Sequence, residues 1–100
     1  MKEIEKLNEM IEEEIEGAWC YAKKGAKYKE ERPEFSRKFV SMANQELEHM
    51  QMLHSMVVSL INEYKEVNGE PPVDMLAVYE YLHEKQIDKV TEIKAYIASI

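Results

Sequence analysis

The chain has 100 residues, of which 33% are charged and 45% are hydrophobic, with three glycines, three prolines and a formal net charge of -7. This length is typical of one domain, and the composition favours long amphipathic helices over β-structure or disorder. The negative charge argues against a nucleic-acid partner, which normally contacts a basic face, and it suits the attraction of metal cations.

Two helix-breaking segments divide the chain into three predicted helices. The first is the charged stretch 30–33, which ends in proline, and the second is segment 68–72, which contains one glycine and two prolines. Gly can close a helix and Pro cannot continue one. We expect an all-α fold in a single domain, 1–100, with Asp74 as the N-cap of the third helix. The predicted helices span about 3–28, 34–67 and 74–99.

The first predicted helix carries a carboxylate in the middle of an apolar stripe. Residues spaced alternately three and four apart face a packing partner in a helical bundle. In this helix they are Ile4, Leu7, Ile11, Glu14, Ala18, Tyr21, Gly25 and Tyr28. Trp19 is expected to be an interface aromatic, and Cys20, the only cysteine, a buried or partly buried thiol. A single cysteine also excludes an intrachain disulfide and indicates a reducing compartment.

The second predicted helix places two polar side chains side by side in its stripe. The stripe consists of Phe35, Phe39, Met42, Glu46, His49, Leu53, Met56 and Leu60. Glu46 and His49 form a Glu-x-x-His element, whose side chains share one helical face and can bind the same ion. His54 lies instead on a second apolar stripe and is expected to be a packed structural histidine. That stripe consists of Val40, Ala43, Leu47, Met50, Val57 and Ile61.

A metal ion would compensate for carboxylates in these stripes, because burying ionised groups without partners costs several kcal/mol each. Di-metal centres in helical bundles take two lone glutamates and two Glu-x-x-His elements from four helices. A two-fold homodimer would supply that set from Glu14, Glu46 and His49 of each chain. Oxygen ligands with some nitrogen suit iron or manganese better than a closed zinc site, although zinc remains an option.

Each candidate also has a structural alternative. Glu14 is simply exposed if the helical phase differs by one position, and Glu46 and His49 could be a polar pair that sets the register of a dimer. Tyr21 is either a core aromatic or a contact to a ligand carboxylate. A second Glu-x-x-His element, Glu80 with His83, lies off the third helix's apolar stripe and is not expected to bind metal. This stripe runs Met75, Tyr79, Leu82, Val90, Ile93 and Ile97.

Segment 13–21 followed by segment 46–49 resembles the ferritin-like superfamily, and most closely the short encapsulated ferritins. The resemblance covers roughly residues 10–60. It implies an antiparallel helical hairpin that forms a four-helix bundle by dimerisation, with iron bound across the dimer interface and ferroxidase-type oxidation of Fe(II). The implied ligands are those named above, with the family's tyrosine matching Tyr21. A secondary metal site or an entry site for metal is implied at Glu13 and Glu16.

Two hypotheses on function follow. The first is a di-iron carboxylate protein with ferroxidase activity, and the second is a non-enzymatic oligomerisation or adaptor protein on a ferritin-like scaffold. The third helix supports the second hypothesis, because its length exceeds what closing a small bundle needs. Neither a signal peptide nor a membrane-spanning segment is evident, so we expect no membrane partner. The expected location is the cytoplasm, where the protein is either free or enclosed in a protein compartment or shell.

Overall fold

Three α-helices make up almost the whole chain. The computed structural model describes residues 1–100, and its helices are α1 (Lys2–Tyr28), α2 (Pro33–Asn68) and α3 (Val73–Ser99). There is no strand, which confirms the predicted all-α class. Each helix begins one residue before its predicted start, and the molecule is elongated, measuring 56 × 17 × 16 Å.

The two turns follow from local sequence. Pro33 begins α2, where its missing N–H costs nothing and its fixed φ suits the first turn. Gly69 ends the same helix with a φ of 76°, a backbone conformation that side chains disfavour. The prediction that Asp74 caps α3 is wrong. Pro72 occupies the N-cap position, and Asp74 lies inside the first turn, where its charge complements the helix dipole.

The helix directions can be read from contacts between side chains. At one end of the hairpin, the Ser36 hydroxyl donates a hydrogen bond of 2.6 Å to the Gly25 carbonyl. Further from the turn, His49 lies 3.5 Å from Glu14, so α2 runs antiparallel to α1. Along α3, Lys89 lies 3.0 Å from Glu12. Seven residues further along both helices, the ring centroids of Trp19 and Tyr96 are 5.3 Å apart. α3 therefore runs parallel to α1.

The core of the single chain uses the second apolar stripe of α2 and leaves the stripe that contains Glu46 and His49 largely uncovered. Of the latter stripe, only Leu53 is buried, whereas Phe35 and Met56 are 41% and 50% exposed. The buried hydrophobic residues are Ile4, Ile11, Ile15, Ala18, Ala22, Ala43, Leu47, Met50, Leu53, Val57, Val90 and Ile93. The hairpin thus has one covered face and one open apolar face.

α3 is held on α1 partly by a buried amide that the apolar pattern does not reveal. Gln86 is only 1% exposed and donates hydrogen bonds to Asn8 and Glu12. Trp19 packs against α3 of its own chain. Cys20 is exposed, so the prediction of a buried or partly buried thiol is wrong.

Two histidines join α2 to α3. The rings of His54 and His83 stack with centroids 3.9 Å apart and planes inclined by 10°. His83 Nδ1 is buried without a hydrogen-bond partner. Burial lowers the pKa of His54, and the neighbouring His83 lowers this pKa further. Lys65, Glu80 and Lys94 line the clefts beside the pair.

The first prediction concerns the pH dependence of stability. Since the folded-state pKa of His54 lies below its ordinary value of 6.5, the unfolded chain takes up a proton first as the pH falls. The free energy of unfolding should therefore decrease below about pH 6.5, and His54→Phe should reduce this decrease while keeping a flat ring against His83. Urea unfolding at fixed protein concentration would measure both pH slopes. Equal slopes for the two proteins would contradict the prediction.

Candidate metal centre

Three side chains predicted as ligands meet on the open face of the hairpin. Glu14 comes from α1, and Glu46 and His49 come from α2. Their ligand atoms, two carboxylate oxygens and one imidazole nitrogen, all lie within 4.8 Å of one another. Glu12, two residues before Glu14 on α1, contacts Lys89 of α3. Residues two apart in a helix point in directions that differ by about 160°. The group therefore lies away from α3.

Small residues allow the two helices to approach closely enough for these side chains to meet. Ala18, Ala22 and Ala43 are fully buried in the hairpin. Helices that pack through small side chains bring their axes close together, so glutamates on both can reach a common point. The 3.6-residue period then places Glu46 and His49 on one surface of α2, facing Glu14.

Glu14 carries an unsatisfied oxygen. Its side chain is 25% exposed, but atom Oε2 is buried and has no hydrogen-bond partner. The nearest ion-pair partner is His49, whose Nδ1 lies 3.5 Å away. A buried carboxylate oxygen without a partner is costly, and a proton or a cation beside it removes that cost. Either group would satisfy the buried oxygen of Glu14.

Glu46 responds to the same crowding. The pKa of Glu46 is raised, first because a proton on its carboxyl group allows a hydrogen bond with Glu14. Burial and the negative charge of Glu14 raise this pKa further, whereas His49 lowers it. Carboxylates this close share protons more readily than they ionise together. A divalent cation between them would reverse the balance and favour both ionised forms.

His49 stands at the boundary between the site and solvent. Its side chain is 52% exposed, twice the exposed fraction of Glu14. Half of the imidazole surface is therefore available to a metal ion, to water or to another molecule on the open face. Since neutral imidazole nitrogen is a common metal ligand, the residue suits the role predicted for it.

An aromatic cluster extends the open face towards the turn between α1 and α2. The ring of Phe39 stacks with two tyrosines, with a centroid distance of 6.3 Å to Tyr21 and of 5.7 Å to Tyr28. Phe35 meets Tyr28 edge to face. Tyr21, predicted as a core aromatic or as a contact to a ligand carboxylate, is thus part of an aromatic surface beside the site.

The remaining acidic candidates lie apart from the three ligands. Glu13 and Glu16 are exposed on α1, and neither joins a group of three metal-binding side chains. Glu80 is exposed on α3, and His83 is engaged with His54. The second Glu-x-x-His element therefore does not form such a group.

Gly17 is a residue of the site that the apolar pattern does not indicate. A Cβ atom at this position would lie 3.1 Å from Glu46 Oε2. The available signal in the sequence is a glycine inside a long helix, three residues after Glu14, where alanine would give a more stable helix. Its role requires the structure, because the position lies on a different helix from Glu46.

No family model, curated protein or solved structure matches the chain. None of the three helices is both long enough and apolar enough to cross a membrane. The likeness to ferritin-like proteins therefore depends on the motifs around Glu14 and Glu46 and on the grouping of their side chains with His49.

Proposed function

We propose that this protein is a di-metal carboxylate protein that oxidises Fe(II) at a site shared by two copies of the chain. The observation that carries the proposal is the group of Glu14, Glu46 and His49, whose ligand atoms lie within 4.8 Å of one another on an open apolar face. An ordinary solvated cluster of acidic residues would not include a buried carboxylate oxygen without a partner, as found at Glu14.

The donor set fits iron. Two carboxylates and one imidazole provide hard oxygen ligands with one nitrogen, a combination that suits Fe(II) or Mn(II), with Zn(II) as a competitor. The pKa of Glu46 is raised first by a hydrogen bond with Glu14, then by burial and by repulsion between the two carboxylates, so ionising both groups together is unfavourable in the metal-free protein. Cation binding replaces this repulsion with attraction, so the arrangement favours a metal over a vacant pair of carboxylates.

A second copy of the chain would complete the site and cover the open face. Three ligands are half of the set that a di-metal centre in a bundle uses. On α2, exposed apolar side chains flank the ligands on both sides, with Met42 36% exposed before them and Met56 50% exposed after them. A two-fold axis through the ligands would place two such faces together and duplicate every ligand.

The roles of the residues follow from their chemistry. Bound iron would supply the redox chemistry, because Fe(II) can give electrons to oxygen or peroxide. Glu14 and Glu46 would hold the ions through their carboxylate oxygens. His49 would provide the nitrogen donor from the solvent side. The exposed carboxylates of Glu13 and Glu16, together with the net charge of -7, would attract incoming cations.

A non-enzymatic oligomerisation or adaptor protein is the second candidate function. The observation in its favour is that α3 exposes several large apolar side chains although the helix is already packed on α1. Val78, Tyr81 and Ile87 are 54%, 59% and 43% exposed. In this case the group of Glu14, Glu46 and His49 would set the register of an assembly or hold a structural ion.

The second prediction concerns assembly. We expect the smallest folded unit to be a dimer formed through the open face, so Met56→Glu should raise the dimer dissociation constant at least about tenfold by placing a charge in an apolar interface. Tyr81→Glu is the control, since this residue is 59% exposed and lies on α3. Sedimentation equilibrium would measure both constants. A well-folded wild-type monomer at micromolar concentration would rule out the shared site.

The third prediction concerns the ligands. Glu14→Gln, Glu46→Gln and His49→Leu should each abolish binding of two Fe(II) per dimer, measured by metal analysis after anaerobic loading. Because the pKa of Glu46 is raised in the folded protein, the unfolded chain loses this proton first, and the metal-free protein loses stability as the pH rises above about 4.5. Glu46→Gln removes this loss, so it should leave the melting temperature at neutral pH unchanged or higher. Loss of metal with retained stability distinguishes a ligand from a structural residue.

His83→Leu is the matched control for His49→Leu, because it makes the same change at the second Glu-x-x-His element, outside the ligand group. It should retain full metal binding and rapid oxygen consumption on addition of Fe(II). Full occupancy in Glu46→Gln, or loss of metal in His83→Leu, would show that the site is assigned to the wrong residues. A metal-free dimer that is unaffected by all four changes would support the adaptor function.

A further inference from the structure

Gly17 lies one helical turn after Glu14 and directly against the side chain of Glu46. The three atoms nearest to a Cβ built at this position all belong to Glu46, with Oε2 at 3.1 Å, Cδ at 3.5 Å and Cγ at 3.7 Å. The glutamate therefore crosses the surface of α1 at the point where that helix has no side chain.

The backbone gives no reason for a glycine at this position. Gly17 is inside α1, and Gly69 is the one residue of the chain with a positive φ. In a regular helix interior, glycine is less favourable than alanine, because it loses more conformational freedom on folding. Space for the Glu46 side chain is the local feature that accounts for it.

We propose that Gly17 is a positioning residue, which leaves room for the Glu46 carboxylate to lie beside Glu14 and His49. The inference rests on the proposed metal site. Ordinary van der Waals contact with a Cβ begins near 3.4 Å, so a methyl group at 3.1 Å would displace Oε2 by a few tenths of an ångström. Metal–ligand distances tolerate about 0.2 Å, so this displacement is large enough to weaken binding.

Gly25 provides an internal comparison, because it serves helix packing. A Cβ at Gly25 would lie 2.9 Å from Val40 Cγ2 and 3.5 Å from the Ser36 carbonyl oxygen, in the buried contact between α1 and α2. Gly25→Ala should therefore lower the stability of the metal-free protein. Gly17→Ala meets only the end of one side chain, which can move, and should have a different effect.

The experiment compares Gly17→Ala with wild type and with Cys20→Ala, an alanine substitution at an exposed position of the same helix. Anaerobic calorimetric titration with Fe(II) measures affinity, thermal unfolding measures the stability of the metal-free protein, and sedimentation measures the dimer. We expect Gly17→Ala to bind Fe(II) about tenfold or more weakly, a loss typical of groups that orient metal ligands. The melting temperature of metal-free Gly17→Ala should be unchanged or higher, and its dimer should be as stable as that of wild type or more so. Cys20→Ala should bind Fe(II) with wild-type affinity.

The possible failures are distinct. Wild-type protein that binds no Fe(II) would refute the proposed function, whereas wild-type binding with equal affinity in Gly17→Ala would refute only the role of Gly17. A dissociated Gly17→Ala dimer would assign the glycine to the subunit interface and also overturn the inference. Crystal structures of both metal-free proteins decide the matter without metal, since an unmoved Glu46 carboxylate in Gly17→Ala would contradict the proposed clearance.

Discussion

The close approach of two carboxylates, Glu14 and Glu46, governs the chemistry of the open face. Close packing of α1 and α2 through small residues forces the pair together, leaves Glu14 Oε2 buried without a partner and raises the pKa of Glu46. Hydrophobic residues of similar volume would avoid this cost altogether. Cation binding, as proposed for this site, would offset the cost, and the donor atoms of the pair suit it.

The two apolar stripes of α2 differ in burial, since one lies in the core of the chain and the other is largely exposed. Ala43, Leu47 and Met50 enter the core of the chain, whereas Phe35 and Met56, on the stripe that carries Glu46 and His49, stay exposed. Because α3 covers α1 on the side away from Glu14, no third helix of the chain lies over the group of Glu14, Glu46 and His49. The same open surface provides the apolar area that the proposed second copy would bury.

Helical periodicity was enough to predict three helices, both stripes of α2 and the common face of Glu14, Glu46 and His49. Periodicity reports the phase of a residue on its own helix, so it could not show which stripe the chain itself covers. Contacts between distant segments were also out of reach: the stack of His54 on His83 and the clearance at Gly17 both depend on the distance between two helices. Gln86 was missed because a buried amide looks like a break in an apolar pattern.

α3 contributes to the site although none of the three ligands belongs to it. Gln86 and Lys89 both contact Glu12, which lies two residues before Glu14 on α1. A rotation of α1 that carried Glu14 away from α2 would also move Glu12, and it would break the hydrogen bond to the buried Gln86 amide. Because a buried amide without a partner is costly, these contacts resist the rotation. The contacts of α3 with Glu12 therefore oppose a rotation of α1 that would carry Glu14 away from Glu46.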